Sequence, residues 1–386
     1  MASTSQRHTR LFQPPDHASF FLFGPRGVGK SDWTRSALPE AVRLDLLEPE
    51  VFRTFSAHPE RLRQWVDALH GPQVIVIDEV QKLPQLLEVV HALIETRPNL
   101  RFVLTGSSAR KLRRAGVDLL AGRAVLRTLH PFVAQELGES FSVDRALKQG
   151  LVPLIHAAPA PMDALRAYVA LYVQQEVQYE GLVRNIGAFH RFLEAMAFSH
   201  AAPVNLTAVA RDCEVPRRTV AGFVAILDDL LLGFRVPVFT RAARREMTQH
   251  EKFYYFDTGV FRALRPAGPL DRPSDIEGAA LEGLVAQHLR AWIAYSSANT
   301  AMYHWRTAGG SEVDFVLYGD ACFVAIEVKS TAQVRPEDLR GLKAFGSDYP
   351  MAKRILLYRG EEAAVIDGID VRPLDPFLHL GAASLC

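Results

Sequence analysis

Two sets of residues in this sequence have the types and spacing for phosphate chemistry. The first is Gly24-Pro25-Arg26-Gly27-Val28-Gly29-Lys30-Ser31, in which a glycine, four residues, then glycine, lysine and serine follow in order. Glycines there let backbone N–H groups close around phosphate oxygens, and a following helix adds the partial positive charge of its N-terminus. Lys30 can reach the β- and γ-phosphates of a nucleotide, and the Ser31 hydroxyl can ligate Mg²⁺. Downstream, the apolar run Val74–Ile77 leads straight into Asp78 and Glu79. Asp78 would hold the Mg²⁺ through water, and Glu79 would polarise the water that attacks the γ-phosphate. Thr105, Ser107 and Ser108 end a later apolar run. A hydroxyl there, Ser107 above all, can orient the attacking water; the same residues can equally cap the next helix. Arg123 could stabilise the transferring phosphoryl group, in its own subunit or a neighbour's, or be one more surface charge.

The second set lies near the C-terminus. Asp314 sits in VDFVL, and Glu327 and Lys329 sit in IEVKS. Period two puts Glu327 and Lys329 on one face of a strand. Asp314 on a neighbouring strand can point to the same place, and Glu282 on the preceding helix can complete the group. Two carboxylates and a backbone carbonyl could then hold Mg²⁺, with Lys329 positioning or deprotonating a water. The competing interpretation is a salt-bridged pair on a small sheet.

The elements that must position these residues follow from periodicity. Phe20–Phe23 suits a buried strand and SDWTRSAL a helix, the context the first motif needs. Strands near 20, 42, 74, 102 and 125 alternate with helices, among them one carrying Leu62, Trp65, Val66 and Leu69 on one face. This predicts a doubly wound α/β domain with a parallel sheet over 20–135, after an N-terminal arm over 1–19. Arg110, Lys111, Arg113 and Arg114 form a basic knot within it. Residues 136–202 read as a helical connector or lid. Over 203–262 a short helix, a turn at 212–215 and a helix opening at Pro216 have the layout of a helix-turn-helix. Arg217, Arg218 and Thr219 stand at the start of its second helix, and FRVPVF and KFYYFD would form a wing carrying Arg241, Arg244 and Arg245. Such a module contacts either DNA, through phosphates, or protein. Over 263–386, EGAALEGLVAQHLRAWIAY reads as an amphipathic helix and the stretch from Tyr303 to Thr331 as two strands of a hairpin.

Composition bounds the function classes. A length of 386 residues suits two or three domains, and 48% hydrophobic with 23% charged residues excludes extended disorder over most of the chain. The net charge of +1 neither supports nor excludes nucleic acid. Cys213, Cys322 and Cys386 are scattered, which argues for a reducing compartment without a disulfide framework or a zinc site. No apolar run approaches the roughly 18 residues of a membrane span, and residues 1–19 lack the apolar core of a secretory signal, so a cytoplasmic location is expected.

With GPRGVGKS, VIVIDE and LTGSS in that order, the first third resembles the AAA-type ATPases. The C-terminal segment resembles the restriction-endonuclease-like fold, whose pattern is an Asp followed by Glu-x-Lys. Val313 stands where many members carry Pro. Taken together with LAGR and the helix-turn-helix, the chain resembles a prokaryotic family of AAA-type ATPases fused to a C-terminal domain with a nuclease-like core. That resemblance implies ATP and Mg²⁺ as cofactors and suggests assembly with further copies of the chain into a ring. Three functions remain in contention. One is ATP hydrolysis coupled to DNA through the C-terminal modules. Another is an ATP-regulated, Mg²⁺-dependent endonuclease. The last is a nucleotide-dependent switch that binds protein partners.

Overall fold

Five short, mostly apolar segments assemble into one parallel sheet. They are β1 (Ser19–Phe23), β2 (Val42–Asp45), β3 (Gln73–Asp78), β4 (Leu100–Gly106) and β5 (Ala124–Thr128), in the order β2-β3-β4-β1-β5. The computed structural model describes residues 8–71, 73–108, 120–172, 185–243, 245–269, 271–296, 298–381 and 385. Arg110, Lys111, Arg113, Arg114 and Arg244 therefore lie outside the described residues. The chain divides into two units: Phe12–His130 with Asp229–Leu231, and Met1–Leu11 with Pro131–Asp228 and Leu232–Cys386.

In the first unit the strands alternate with α1 (Lys30–Ala37), α2 (Pro49–Ala57), α3 (Arg61–Asp67) and α4 (Leu86–Thr96). Pro49 opens α2, where a missing N–H costs nothing. Leu86, Leu87, Val90 and Leu93 recur at helical spacing and are buried, so α4 turns one face to the sheet. That face meets Ile75, Ile77, Phe102 and Leu104, with Leu62 and Val66 of α3 in the same cluster. Each such side chain contributes about 1.5–3 kcal/mol on burial. Phe12, assigned to the arm by sequence, is 2% exposed and packs edge-on against Trp33 of α1. The end of the arm is thus part of this unit's packing.

The second unit contains α5 (Val143–Gln149), α6 (Ile186–Ala197), α7 (Leu206–Asp212) and α8 (Arg217–Asp229). A small antiparallel sheet follows, in the order β6-β8-β7, from β6 (Ala202–Pro203), β7 (Gly233–Val236) and β8 (Lys252–Tyr255). Asn205 caps α7 by accepting from the N–H groups of Thr207 and Ala208. Val220, Phe223, Val224 and Leu227 form the buried face of α8. Next come α9 (Thr258–Leu264) and α10 (Pro273–Tyr295). The last strands are β9 (Thr300–Arg306), β10 (Glu312–Gly319), β11 (Cys322–Val328), β12 (Lys353–Tyr358), β13 (Ala364–Ile366) and β14 (Ile369–Pro373). They form a sheet in the order β13-β14-β12-β11-β10-β9, covered on one side by α11 (Arg340–Asp348).

Three local expectations change. The stretch from Tyr303 to Thr331 holds parts of three strands rather than two, because Gly309 and Gly310 turn the chain between β9 and β10. Helix α10 is not amphipathic along its length: Ala280, Leu281, Gly283–Leu289, Ala291 and Trp292 are buried on all faces, against α5, α9, β8, β9 and β11. Cys322 is disulfide-bonded, where the scattered cysteines argued against a disulfide framework, while Cys213 is a free, buried thiol.

Two buried polar residues tie the second unit together and carry stability predictions. Asp257 caps α9, accepting from Val260 N at 3.1 Å and from Leu151 N at 2.6 Å. Gly150 and Gly259 make room for this join; a Cβ on Gly150 would lie 1.9 Å from the Asp257 carboxylate. Asp257→Ala should cost about 2–4 kcal/mol, since it strands buried N–H donors. Denaturant unfolding of the variant checks this. The His288 ring accepts from Ala134 N at 3.0 Å and lies 2.8 Å from Leu284 O, an arrangement met by one neutral tautomer. Burial pushes this imidazole down to about 4 from an ordinary 6.5. The unfolded chain therefore takes up the proton first, so the stability due to neutral His288 is complete above about pH 6.5 and is lost as pH falls toward 4. The stability gap between the wild type and His288→Gln should narrow by about 3 kcal/mol across that range. A gap that stays constant with pH would contradict it.

Candidate functional site

The first motif sits where β1 ends and α1 begins. Ser19–Phe23 are all buried, which fixes the end of β1. Gly27 and Gly29 then take left-handed φ values of 79° and 88°, a region that favours glycine. Gly24 is needed for space instead: a Cβ there would lie 2.4 Å from Leu129 O. Lys30 is buried, and its Nζ donates to Gly24 O at 2.7 Å and Pro25 O at 3.2 Å. The ammonium is thereby curled over the loop, as a group that meets phosphate oxygens must be.

Strand order brings the other residues to the loop. β4 lies between β1 and β3, so its C-terminal end stands between the loop and the acids of β3. Ser31 Oγ donates to Asp78 Oδ2 at 2.6 Å, and Thr105 Oγ1 donates to Asp78 Oδ1. Two hard oxygen ligands, Ser31 and Asp78, are thus in contact, and this donor set fits Mg²⁺ carried with a nucleotide. Glu79 adopts φ 59° and ψ 43°. A non-glycine residue there costs about 1–2 kcal/mol, strain of the kind found where a side chain is aimed at a task. The Gln81 carboxamide donates to Glu79 Oε2 and, at 3.3 Å, to Ser107 Oγ.

Gln81 is the residue of this group that sequence reasoning missed. It sits so close because Gly106 has no side chain; a Cβ on Gly106 would lie 2.4 Å from Gln81 Oε1. Arg123, by contrast, is not brought to its own subunit's loop. It precedes β5, and the pairing Ser19↔Ala124 puts it at the N-terminal end of the sheet, away from the loop at the C-terminal end. Its guanidinium pairs with Glu95 instead.

In the second unit, Glu282, Asp314, Glu327 and Lys329 do converge. β10 and β11 pair with Phe315 opposite Ile326, so Asp314 and Glu327 fall side by side one step further on. Lys329 Nζ donates to Glu327 Oε1 at 2.6 Å, and Asp314 Oδ2 accepts from Val328 N at 2.9 Å. Asp314, Glu327 and Lys329 line a cleft of about 490 Å³ together with Glu312 and Arg340. Sequence reasoning missed the centre of the cluster. Lys252 of β8, 1% exposed, places its Nζ 3.0 Å from Glu282, 2.7 Å from Glu312 and 3.1 Å from Asp314. Tyr254, two residues on and on the same face of the strand, donates to Glu282 at 2.6 Å. Burial, then Asp314, pushes Glu282 up to about 7, opposed by Lys252 and Tyr254. Burial, then Asp314, likewise pushes Glu327 up to about 8, opposed by Lys329. Among the described residues no three His, Cys, Asp or Glu side chains are placed to hold a metal ion. With both Asp314 oxygens accepting protein donors and an ammonium at the centre, this cluster does not fit Mg²⁺ as it stands.

The predicted nucleic-acid residues divide. Arg217 and Arg218 are exposed and Thr219 half-buried at the start of α8. The wing is not free. Phe239, between β7 and β8, is 1% exposed in the core of the C-terminal sheet, and Val238 and Met247 bridge to His304 and Thr307. Arg241 lies over the Tyr318 ring at 4.8 Å, and Arg245 pairs with Asp348 at 3.0 Å. Arg241 and Arg245 are thus engaged within the unit.

The parallel sheet, the loop and its acids have the arrangement of a P-loop nucleotide-binding domain. Residues 16–138 match the family described as AAA domain, while 140–271 and 277–377 match two domains of unknown function. The chain is 27% identical over 376 residues to an uncharacterized protein of Mycobacterium tuberculosis and to one of Mycobacterium bovis. Each alignment covers 94% of this chain and 81% of the relative. Among solved structures, the RuvB Holliday junction branch migration motor of Thermotoga maritima is 17% identical with a TM-score of 0.28, covering 57% of this chain and 82% of that one. Protein VC1899 from Vibrio cholerae is 9% identical with a TM-score of 0.23, covering 94% and 96%. Likeness at those scores carries no weight for fold or function. Among the described residues no helix is long and apolar enough to cross a membrane.

Proposed function

We propose that this chain is an ATP-hydrolysing AAA-type ATPase that acts on DNA through α8, with a nuclease-like C-terminal module that does not cleave. The observation that carries the hydrolytic part is the chain of contacts Ser31–Asp78–Thr105 beside Glu79–Gln81–Ser107. It pairs a magnesium-competent oxygen set with a carboxylate held for water, the division of labour that phosphoryl transfer needs. ATP would lie with its β- and γ-phosphates against residues 24–31. Lys30 would exchange its loop carbonyls for phosphate oxygens, Glu79 would take the water's proton, and Ser107 with Gln81 would fix Glu79 in place. Bound Mg²⁺ would neutralise phosphate charge. A part for Arg123 in this chemistry requires a neighbouring copy of the chain, since its own loop lies at the far end of the sheet.

The DNA part rests on Arg217, Arg218 and Thr219 at the exposed N-terminal end of α8, where groove-reading side chains stand in a helix-turn-helix. Fluorescence anisotropy with duplex DNA at rising salt tests it. Affinity should fall steeply with salt, and Arg217→Ala with Arg218→Ala should lower the log–log slope by about two. Binding that is indifferent to salt and to both substitutions would remove DNA from this account and leave a protein partner.

A further inference from the structure

The C-terminal carboxylates pose a problem that their motif does not. Glu282, Glu312 and Asp314 approach one point from α10 and β10, and burial there has to be balanced by positive charge. The point is filled by an ammonium delivered from a different part of the fold. Lys252 rises from β8 beneath the cleft, with its whole side chain buried. Glu282, Glu312 and Asp314 pair with it, Tyr254 stands beside it on the same strand, and His304 packs nearby. Around the rim, Arg306 pairs with Glu312 at 3.2 Å and Lys329 with Glu327 at 2.6 Å. The carboxylates at 282, 312, 314 and 327 are therefore matched by cations at 252, 306 and 329, with Arg340 also lining the cleft.

We propose that Lys252 is the resident cation of this cluster, holding the position a divalent metal would take, so that the cleft is closed to Mg²⁺ and Mn²⁺ until that ammonium is removed. A divalent ion needs several carboxylate or carbonyl oxygens at about 2.0–2.2 Å, and like charge at hydrogen-bonding distance opposes its entry. Burial works against the charge on Lys252, but Glu282, Asp314, Tyr254 and Glu312 outweigh it and hold the amine well above its ordinary range. The ammonium thus persists at neutral pH. One carboxylate oxygen lining the same cleft, Glu327 Oε2, is buried without a hydrogen-bond partner. In this reading the strand that carries Lys252 works as a plug, and an acid set arranged for phosphodiester chemistry serves to dock β8 onto α10 and β10.

The test is Mn²⁺ binding by nucleotide-free full-length protein, read from the EPR signal of free Mn²⁺. Asp314→Asn serves as the blank for any other site. The wild type should bind no more Mn²⁺ than Asp314→Asn. Lys252→Gln, with Lys252→Met as a second variant, should gain about one equivalent at an affinity at least about ten-fold above the wild type. That gain should vanish in Lys252→Gln/Asp314→Asn. Mn²⁺ should also raise the melting temperature of the Lys252 variants and not of the wild type, because a ligand of the folded state stabilises it. Asp314-dependent Mn²⁺ binding by the wild type overturns the proposal, as does a folded Lys252 variant that binds none. If neither variant folds, with or without Mn²⁺, the comparison of wild type with Asp314→Asn decides alone.

Discussion

Lys30→Ala is expected to weaken ATP binding by about 10²–10³-fold and to leave no measurable turnover. The side chain is buried over the loop with its ammonium at hydrogen-bonding distance from two carbonyls, so it is positioned before any nucleotide arrives. Each charge-assisted bond it makes to phosphate is worth about 1.5–3 kcal/mol, and two such bonds account for the loss. Alanine also removes the charge that holds the β- and γ-phosphates against Gly24–Ser31. Because Lys30 already satisfies loop carbonyls, the variant should melt slightly lower as well. Titration with a fluorescent ATP analogue measures the affinity; binding within three-fold of the wild type would show that the loop does not grip phosphate as described.

Glu79→Gln should separate binding from chemistry. Glutamine keeps the size of the side chain and a partner for Gln81, so the loop and Asp78 are undisturbed. What it loses is the ability to take a proton from water. General-base catalysis of this kind contributes about 10²–10⁴-fold, and turnover should fall by that factor with ATP affinity unchanged within a few-fold. The left-handed backbone at residue 79, φ 59° and ψ 43°, belongs to the turn that follows β3. A switch that binds nucleotide without hydrolysing it has no use for that carboxylate, and the substitution would then change neither rate nor affinity.

Some of this was legible in the sequence and some was not, for reasons that differ by residue. The loop and its strand were legible because the demands on Gly24–Ser31 are local: left-handed glycines, a lysine and a hydroxyl within one turn. Asp78 and Glu79 were legible because a β-branched run ending in acids marks a buried parallel strand. Gln81 was not, since its contact with Glu79 and Ser107 depends on the bare Cα of Gly106 on another strand. Arg123 was left between a phosphoryl contact, in its own subunit or a neighbour's, and a surface charge; the register of β5 carries it to the end of the sheet away from its own loop. In the second unit, Glu327 and Lys329 were found through the period of two, with Asp314 on a neighbouring strand and Glu282 on the preceding helix. Lys252 stood unremarked at the start of KFYYFD. It lies 62 residues from Asp314, and no periodicity links positions so far apart. The packing of the wing was hidden for a related reason: an exposed-looking turn gives no sign that Phe239 beside it is anchored in a neighbouring core.

The most direct test of hydrolysis at the N-terminal loop is a single-turnover experiment. Radiolabelled ATP is bound with Mg²⁺ to excess wild-type protein and to Glu79→Gln, and the label is followed from ATP to ADP and phosphate. The wild type is predicted to convert its bound ATP completely. Glu79→Gln is predicted to hold ATP intact for at least about a hundred times longer. Equal conversion by both would contradict the assignment of Glu79, and stable ATP on the wild type would contradict the account of this protein as an ATPase.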